Sequence, residues 1–351
     1  MSSVVPASRP EYSELAPGTL VEHAERIRVD ATRALDATSK SALGQYFTPA
    51  PIAKLIAGMG SVAREELRIL DPGAGSGMLS AAYVAKVCSR SIRPKRIVVT
   101  AFEIDDRLHS FLRKTALLCE RVCRAAGIQY SFELLGDDFI GTAVRSIHDD
   151  LFGVKWPAFD VVVMNPPYGK IRSSSIERRL LHEVGIETTN SYTAFVSLAL
   201  RALESGGELI AITPRSFCNG PYFTPFRKDL LRLTSLTHVH VFDTRDSAFG
   251  GDDVLQENLV FRVARGTPQA GDVSVEWSAA GEIEHTDRRT MPFDDVVKPG
   301  DPDFFIHIAP DAWDSQVSRI VRGLPASLAD LGIDVSTGRV VEFRAKAYLR
   351  S

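Results

Sequence analysis

Cysteine is scarce in this chain: 4 in 351 residues, none in a C-x-x-C pair. Cys119 and Cys123 stand four apart in a helical stretch, while Cys88 and Cys218 are isolated. That spacing argues against a zinc knuckle or a disulfide framework, so no metal is expected and the thiols are read as reduced, in a cytoplasmic setting. His238 and His240 alternate on one strand and are read as structural. No secretory signal is evident, and no apolar run reaches the roughly 20 residues that span a bilayer. Charge of one sign is also missing: 41 Lys and Arg against 44 Asp and Glu give a net −3. A polyanionic partner would have to be met by local basic patches. The remaining composition, 44% hydrophobic and 24% charged, is that of a globular protein with room for one large α/β domain and part of another.

What the chain does have is a series of polar residues at the ends of apolar runs. Arg68-Ile69-Leu70-Asp71-Pro72-Gly73-Ala74-Gly75-Ser76-Gly77 reads as a buried strand entering a tight glycine turn, with a helix starting at Met78. The Gly-x-Gly-x-Gly spacing departs from the dinucleotide G-x-G-x-x-G, and Asp71 ahead of the glycines would repel a pyrophosphate. It suits a cationic ligand without phosphate, and S-adenosylmethionine, with its ammonium and sulfonium, fits. A second strand, Arg96 to Phe102, ends in Glu103, placed to take both hydroxyls of a ribose. A third, Tyr130 to Leu135, runs into Asp138, which can accept from an adenine amine, and Phe139, which can lie against the ring. Successive strands and helices predict an open α/β fold, a mostly parallel sheet with helices on both faces. The ligand crevice of such sheets lies at the carboxyl ends of the strands, where all these residues fall.

On the fourth strand, Phe159 to Met164, the same end carries Asn165-Pro166-Pro167-Tyr168. A ring-conjugated amine is a poor nucleophile because its lone pair is delocalised. The Asn165 side-chain oxygen and the Pro166 carbonyl can each take one N–H of such an amine and localise that pair. Proline fixes φ and pushes its predecessor to an extended conformation, which stiffens the corner. Tyr168 offers a ring for stacking. A proline-terminated strand entering a loop could produce the same tetrapeptide alone; three carboxylates at the preceding strand ends argue for the chemical reading.

Together these motifs resemble the gamma class of N6-adenine DNA methyltransferases from restriction–modification systems, of the PstI/BsuBI type, over roughly residues 40–265. The segment Ala42-Leu43-Gly44-Gln45-Tyr46-Phe47-Thr48-Pro49 strengthens the resemblance. It implies a Rossmann-like, S-adenosylmethionine-dependent methyltransferase fold. Tyr46, Phe47, Thr48 and Pro49 would line the cofactor pocket, with Asp71, Gly73 and Gly75 at the methionine end. Glu103 would hold the ribose, and Asp138 and Phe139 the adenine. Asn165, Pro166, Pro167 and Tyr168 would hold a flipped target adenine, and Phe249 would stack on its other face; Phe217 is a weaker candidate for that stack. Double-stranded DNA is the implied partner, with Lys170 and Arg172 as the favoured backbone contacts. Arg178-Arg179 and the set Arg227, Lys228 and Arg232 are more naturally solvated helix faces.

The ends read differently. Residues 1–17 are rich in Ser, Pro and Ala and are expected to be disordered. Leu20, Ala24, Ile27, Ala31 and Leu35 follow a helical period, predicting a helix that packs on the catalytic domain. The chain thus divides into a tail and helix at 1–39, a methyltransferase domain at 40–265, and a linker with the start of a truncated target-recognition region at 266–351. No clear period is legible after residue 266; Ser327 to Arg339 resembles the family's lead into that region. A separate recognition chain and a cognate restriction endonuclease are the further partners implied. Two rivals use the same corner or the same fold: an enzyme methylating a release-factor glutamine or a ribosomal RNA guanine, and a cofactor-binding subunit inactive without a recognition partner.

Overall fold

The computed structural model describes residues 16–35, 47–150, 158–242, 258–266, 269, 271–278, 286–308 and parts of 316–333. It divides into two compact units, Met1–Ile308 and Ala309–Ser351. In the second, the described Val317, Ile320, Val321, Leu324, Leu328 and Leu331 are exposed. Residues 334–339 of the segment singled out from sequence lie outside the described residues.

The first unit is built on a nine-stranded sheet of order β3-β2-β1-β4-β5-β7-β6-β8-β9. Its strands are β1 (Glu66–Pro72), β2 (Arg96–Phe102), β3 (Gln129–Leu135), β4 (Phe159–Met164), β5 (Leu203–Pro214), β6 (Thr234–Phe242), β7 (Asn258–Arg265), β8 (Val273–Ser278) and β9 (Thr286–Met291). The first five are mutually parallel. β1 pairs with β2 on one side and β4 on the other, so strand order reverses at β1 and opens a crevice at its carboxyl end. β7 runs antiparallel between β5 and β6. β4 is buried along its whole length, as its near-continuous apolar sequence requires of a central parallel strand.

Apolar helices cover the sheet. The helix Met78–Cys88 buries ten of its eleven residues in a cluster with Ile52, Ile56, Val99 and Val161. The N-terminal helix Pro17–Ala34 buries Leu20, Val21, Ala24 and Ala31, and Leu20, Val21 and Ala24 join that same cluster. The predicted helical period therefore serves packing, although Ile27 is only partly buried. The residue 265/266 boundary read from sequence falls inside one continuous sheet. β8 pairs in parallel with β6 and buries Val273, Val275 and Trp277, a short alternation that composition alone masks.

A second difference concerns Arg227, read from sequence as part of a surface basic group. It is fully buried and donates to the carbonyls of Phe217, Gly220 and Asp303 at 2.8 Å each, with its guanidinium over the Phe305 ring. Lys228 lies over Phe304 and Arg232 pairs with Asp229. The helix Thr224–Leu233 turns this arginine inward because three loop carbonyls converge there and need donors. Arg227→Met is expected to cost about 3 kcal/mol, since several buried acceptors lose their partner at once. An unfolding free energy from urea titration within about 0.5 kcal/mol of wild type would remove that role.

Candidate active site

The turn after β1 is set by backbone geometry. Gly73, Gly75 and Gly77 all have positive φ, at 79°, 57° and 83°. The Gly73 and Ala74 N–H groups both donate to the Phe102 carbonyl, at 2.9 and 2.8 Å, fastening the loop to the end of β2. A Cβ on Gly77 would lie 2.8 Å from Leu112 Cδ1. Gly77→Ala is therefore expected to destabilise by about 1–3 kcal/mol, combining a left-handed backbone with an overlap; thermal and urea unfolding measure it.

Asp71, at the end of β1, is 1% exposed. Its Oδ2 accepts from Ser80 Oγ at 2.6 Å, while Oδ1 is buried without a partner. Burial raises its pKa to about 7 against the opposing Ser80 hydrogen bonds, and the nearby Glu103 raises it further. A cation beside Asp71 would offset the cost of burying its charge. Ser76 Oγ, in the same turn, is likewise buried and without a partner. These two atoms fit the residues to an amine-bearing ligand such as the methionine end of S-adenosylmethionine.

Glu103 is also buried. One oxygen accepts from the Gly75 N–H at 2.8 Å and the other from the Asp105 N–H at 2.9 Å. It ties the β1 and β2 loops together, and each oxygen keeps a lone pair for a hydroxyl. Burial raises its pKa. Asp138 is exposed, and its Oδ2 accepts from the Gly141 N–H at 2.7 Å, capping the helix Phe139–Asp150. This capping role, invisible to the sequence reading, fixes the carboxylate at the crevice rim. The Phe139 ring is buried between Phe102 and Phe195, at centroid distances of 5.2 and 5.0 Å.

Gly73, Gly75, Glu103, Asp138 and Phe139 line one cleft, of which Asp71 is not a wall residue. Phe47 and Asn165 are also in its wall. Phe102, Leu108, Phe195 and Ile104, the last 59% exposed, are wall residues that the sequence reading missed. Phe195 sits in the helix Ser191–Ala202, buried along most of its length, so its sequence carries only a core signal. A smaller adjoining pocket holds Thr48, Ser76, Met78 and Leu79, and shares Phe47, Gly73, Gly75 and Asn165 with the first. Pro49 is the N-cap of the helix Ala50–Met59. Tyr46 and Phe249 lie outside the described residues.

The tetrapeptide corner closes the same cleft. Asn165 Nδ2 donates to Thr48 Oγ1 at 3.1 Å, and the Tyr168 hydroxyl donates to Asn165 Oδ1 at 2.9 Å and to the Ile212 carbonyl at 3.3 Å. The amide is thus held at both ends, and an amide oxygen has two lone pairs with which to accept. Pro166 is buried, Pro167 lines the cleft, and Tyr168 meets Tyr192 edge-on at 6.3 Å. Beyond the corner, Gly169 to Ile171 is zipped to the segment 189–191: Ser191 N–H donates to the Gly169 carbonyl and Ile171 N–H to the Thr189 carbonyl. Lys170 and Arg172 are exposed on this strip. Arg178 instead binds the Thr188 carbonyl and Glu187. Phe217 is core, packed on Phe226 and Phe261, which takes it out of contention for base stacking. No helix among the described residues is long and apolar enough to cross a membrane.

Comparison with known proteins points to one family and fold. The Eco57I restriction-modification methylase family matches residues 138–249. The chain is 40% identical to the type II methyltransferase M.PstI of Providencia stuartii, over 93% of this chain and 63% of that protein. It is 39% identical to the type II methyltransferase M.BsuBI of Bacillus subtilis, over 89% of this chain and 61% of that one. The chain therefore spans less than two thirds of the length of these relatives. In fold it is similar to a Listeria monocytogenes protein assigned to the class I S-adenosylmethionine-dependent methyltransferases, with a TM-score of 0.57 at 12% identity, over 77% of this chain and 75% of that one. The type IIG restriction endonuclease BpuSI matches with a TM-score of 0.51 at 19% identity, over 78% and 33% of the two chains. Along the matched length the chain is similar to type II restriction–modification methyltransferases, and its fold is that of the S-adenosylmethionine-dependent methyltransferases.

Proposed function

We propose that this chain carries the catalytic domain of a site-specific DNA methyltransferase that moves a methyl group from S-adenosylmethionine to the N6 amine of an adenine, within a restriction–modification system. The observation that carries this reading is Asn165: this corner residue borders both the cleft and the pocket under the glycine turn.

S-adenosylmethionine, when bound, supplies an electrophilic methyl on a sulfonium. The residues of this chain do the rest. Asp71 takes the ammonium through the buried oxygen that has no partner. Glu103 takes the ribose hydroxyls, and Asp138 and Phe139 hold the adenine. Phe47, Thr48 and Pro49, with Tyr46, close over the methionine end. The target adenine lies inside the duplex, so its nucleotide must rotate out to reach the corner. There the Asn165 oxygen and the Pro166 carbonyl accept its two N–H groups, while Tyr168 and Phe249 clamp the ring. Pre-organised positioning and electrostatics supply the rate; no covalent nucleophile is needed. Nor is a strong base needed, because the amine proton becomes acidic only as transfer proceeds. Lys170 and Arg172 meet backbone phosphates. Sequence recognition is assigned to a target-recognition domain, and cleavage of unmodified DNA to a cognate endonuclease.

The rival substrates, a release-factor glutamine or a ribosomal RNA guanine, are disfavoured by similarity to M.PstI and M.BsuBI along most of the chain. The test is transfer of labelled methyl to unmethylated genomic DNA, with nucleosides identified by mass spectrometry. N6-methyladenine is expected. Label on cytosine would overturn the adenine assignment; no transfer, even with a longer chain or a recognition partner supplied, would leave a cofactor-binding subunit.

A further inference from the structure

The loop after β5 is unusually well held for a segment whose tip is bare. Arg215–Cys218 and Pro221–Phe223 form two short 3-10 turns. The buried guanidinium of Arg227 donates to the Phe217 and Gly220 carbonyls between them, and Gly220 N–H donates to the Ser216 carbonyl at 3.1 Å. Tyr192 braces the loop twice: its hydroxyl lies 3.1 Å from Ser216 Oγ, and its ring is 5.9 Å from that of Phe223. Yet Tyr222, between Pro221 and Phe223, is 87% exposed. A large aromatic ring kept in water on a braced loop is open to an incoming partner.

Its position says what that is. β5 runs parallel to β4 with Met164 opposite Ala211, so the loop leaves the sheet at the same edge as the Asn165 corner. The brace Tyr192 is also the residue that meets Tyr168 edge-on. It directly follows the segment 189–191 to which Gly169–Ile171 is zipped, and so sits beside the exposed Lys170 and Arg172. One post thus joins the base-holding tyrosine, two outward cations and the bare ring.

We propose that Tyr222 is a DNA-contacting residue whose ring packs against the duplex beside the extruded target nucleotide. Base–aromatic stacking tolerates any sequence, because every base has a π-face. The contact therefore favours extrusion without reading the site, and Tyr222 acts as a positioning residue. This inference rests on the DNA-methyltransferase reading above.

The test uses the chain, with its recognition partner if one is required, on a duplex carrying the site that wild type methylates. The fluorescent analogue 2-aminopurine replaces the target adenine. Tyr222→Ala is expected to weaken duplex binding and lower the extrusion signal by about 10- to 100-fold, the range expected for loss of one base stack. Its S-adenosylmethionine affinity and melting temperature should stay at wild-type values, and Tyr222→Phe should restore the signal. Wild-type extrusion and DNA affinity in Tyr222→Ala would overturn this inference alone. A melting temperature lowered by several degrees would overturn it too, because the ring would then be covered by protein. A wild type inactive on all DNA would instead sink the parent reading, and this one with it.

Discussion

Asn165→Ala is expected to lower methyl transfer by about 10²- to 10³-fold, the scale seen when a single pre-organised hydrogen-bonding group at a reaction centre is removed. S-adenosylmethionine binding should stay within a few-fold of wild type. The reasoning follows the geometry of the corner. Asn165 Oδ1 receives the Tyr168 hydroxyl and, as an amide oxygen, can accept from an incoming amine as well, while its Nδ2 end is occupied by Thr48 Oγ1. Truncation removes the acceptor for the amine, and on the cofactor side it removes the hydrogen bond to Thr48 Oγ1. Single-turnover rates with labelled cofactor, set beside calorimetric affinity, separate the two effects. If both fall together, Asn165 is a structural residue of the pocket and the assigned corner chemistry is wrong.

Asp71→Asn should do the reverse, weakening cofactor affinity by about 10- to 100-fold, as expected for loss of a charge-assisted hydrogen bond to an ammonium. Asparagine keeps the shape and an acceptor for Ser80 but cannot ionise. The wild-type pKa, raised by burial from the ordinary 3.8 to about 7, makes the pH dependence diagnostic. An ammonium needs the ionised carboxylate, so wild-type affinity should rise as pH increases toward about 7 and level off above it; the Asp71→Asn variant should lack this step. The stability of the free protein has the opposite sign. Between pH 3.8 and about 7 the folded state holds a proton that the unfolded state has lost, so stability from this group declines across that window as pH rises. Titration calorimetry from about pH 5.5 to about 8.5 in two buffers, bracketing that pKa, measures both affinity and the proton released on binding. A flat wild-type profile would sink the assignment of Asp71 to the ammonium.

The strand ends were legible because strand and ligand chemistry use different residue types. A run such as Ile69-Leu70 or Val161-Val162-Val163 must be buried, so a carboxylate or Asn-Pro-Pro directly after it stands out. Asp71, Glu103, Asp138 and Asn165 could therefore be placed at successive β ends from sequence spacing. Their roles toward one another could not. Glu103 joins two loops, Asp138 caps a helix and Thr48 reaches Asn165 across 117 positions of sequence. Each is a long-range or turn-specific hydrogen bond that no local pattern encodes. Phe195 and Phe217 illustrate the same limit. Phe195, in an apolar helix, lines the cleft, while Phe217, read as a candidate for base stacking, packs on Phe226 and Phe261.

Local sequence alone placed the first four strands, the polar residues that terminate them, and the rigid Asn-Pro-Pro-Tyr corner. These follow from local steric and solvation rules, which act residue by residue. The packing of the whole chain settles that Arg227 turns inward, that the sheet runs past residue 265 into β8 and β9, and that Tyr222 stays exposed to water. Those outcomes depend on which carbonyls, strand edges and rings converge from distant segments, and convergence in space is a property of the packed chain.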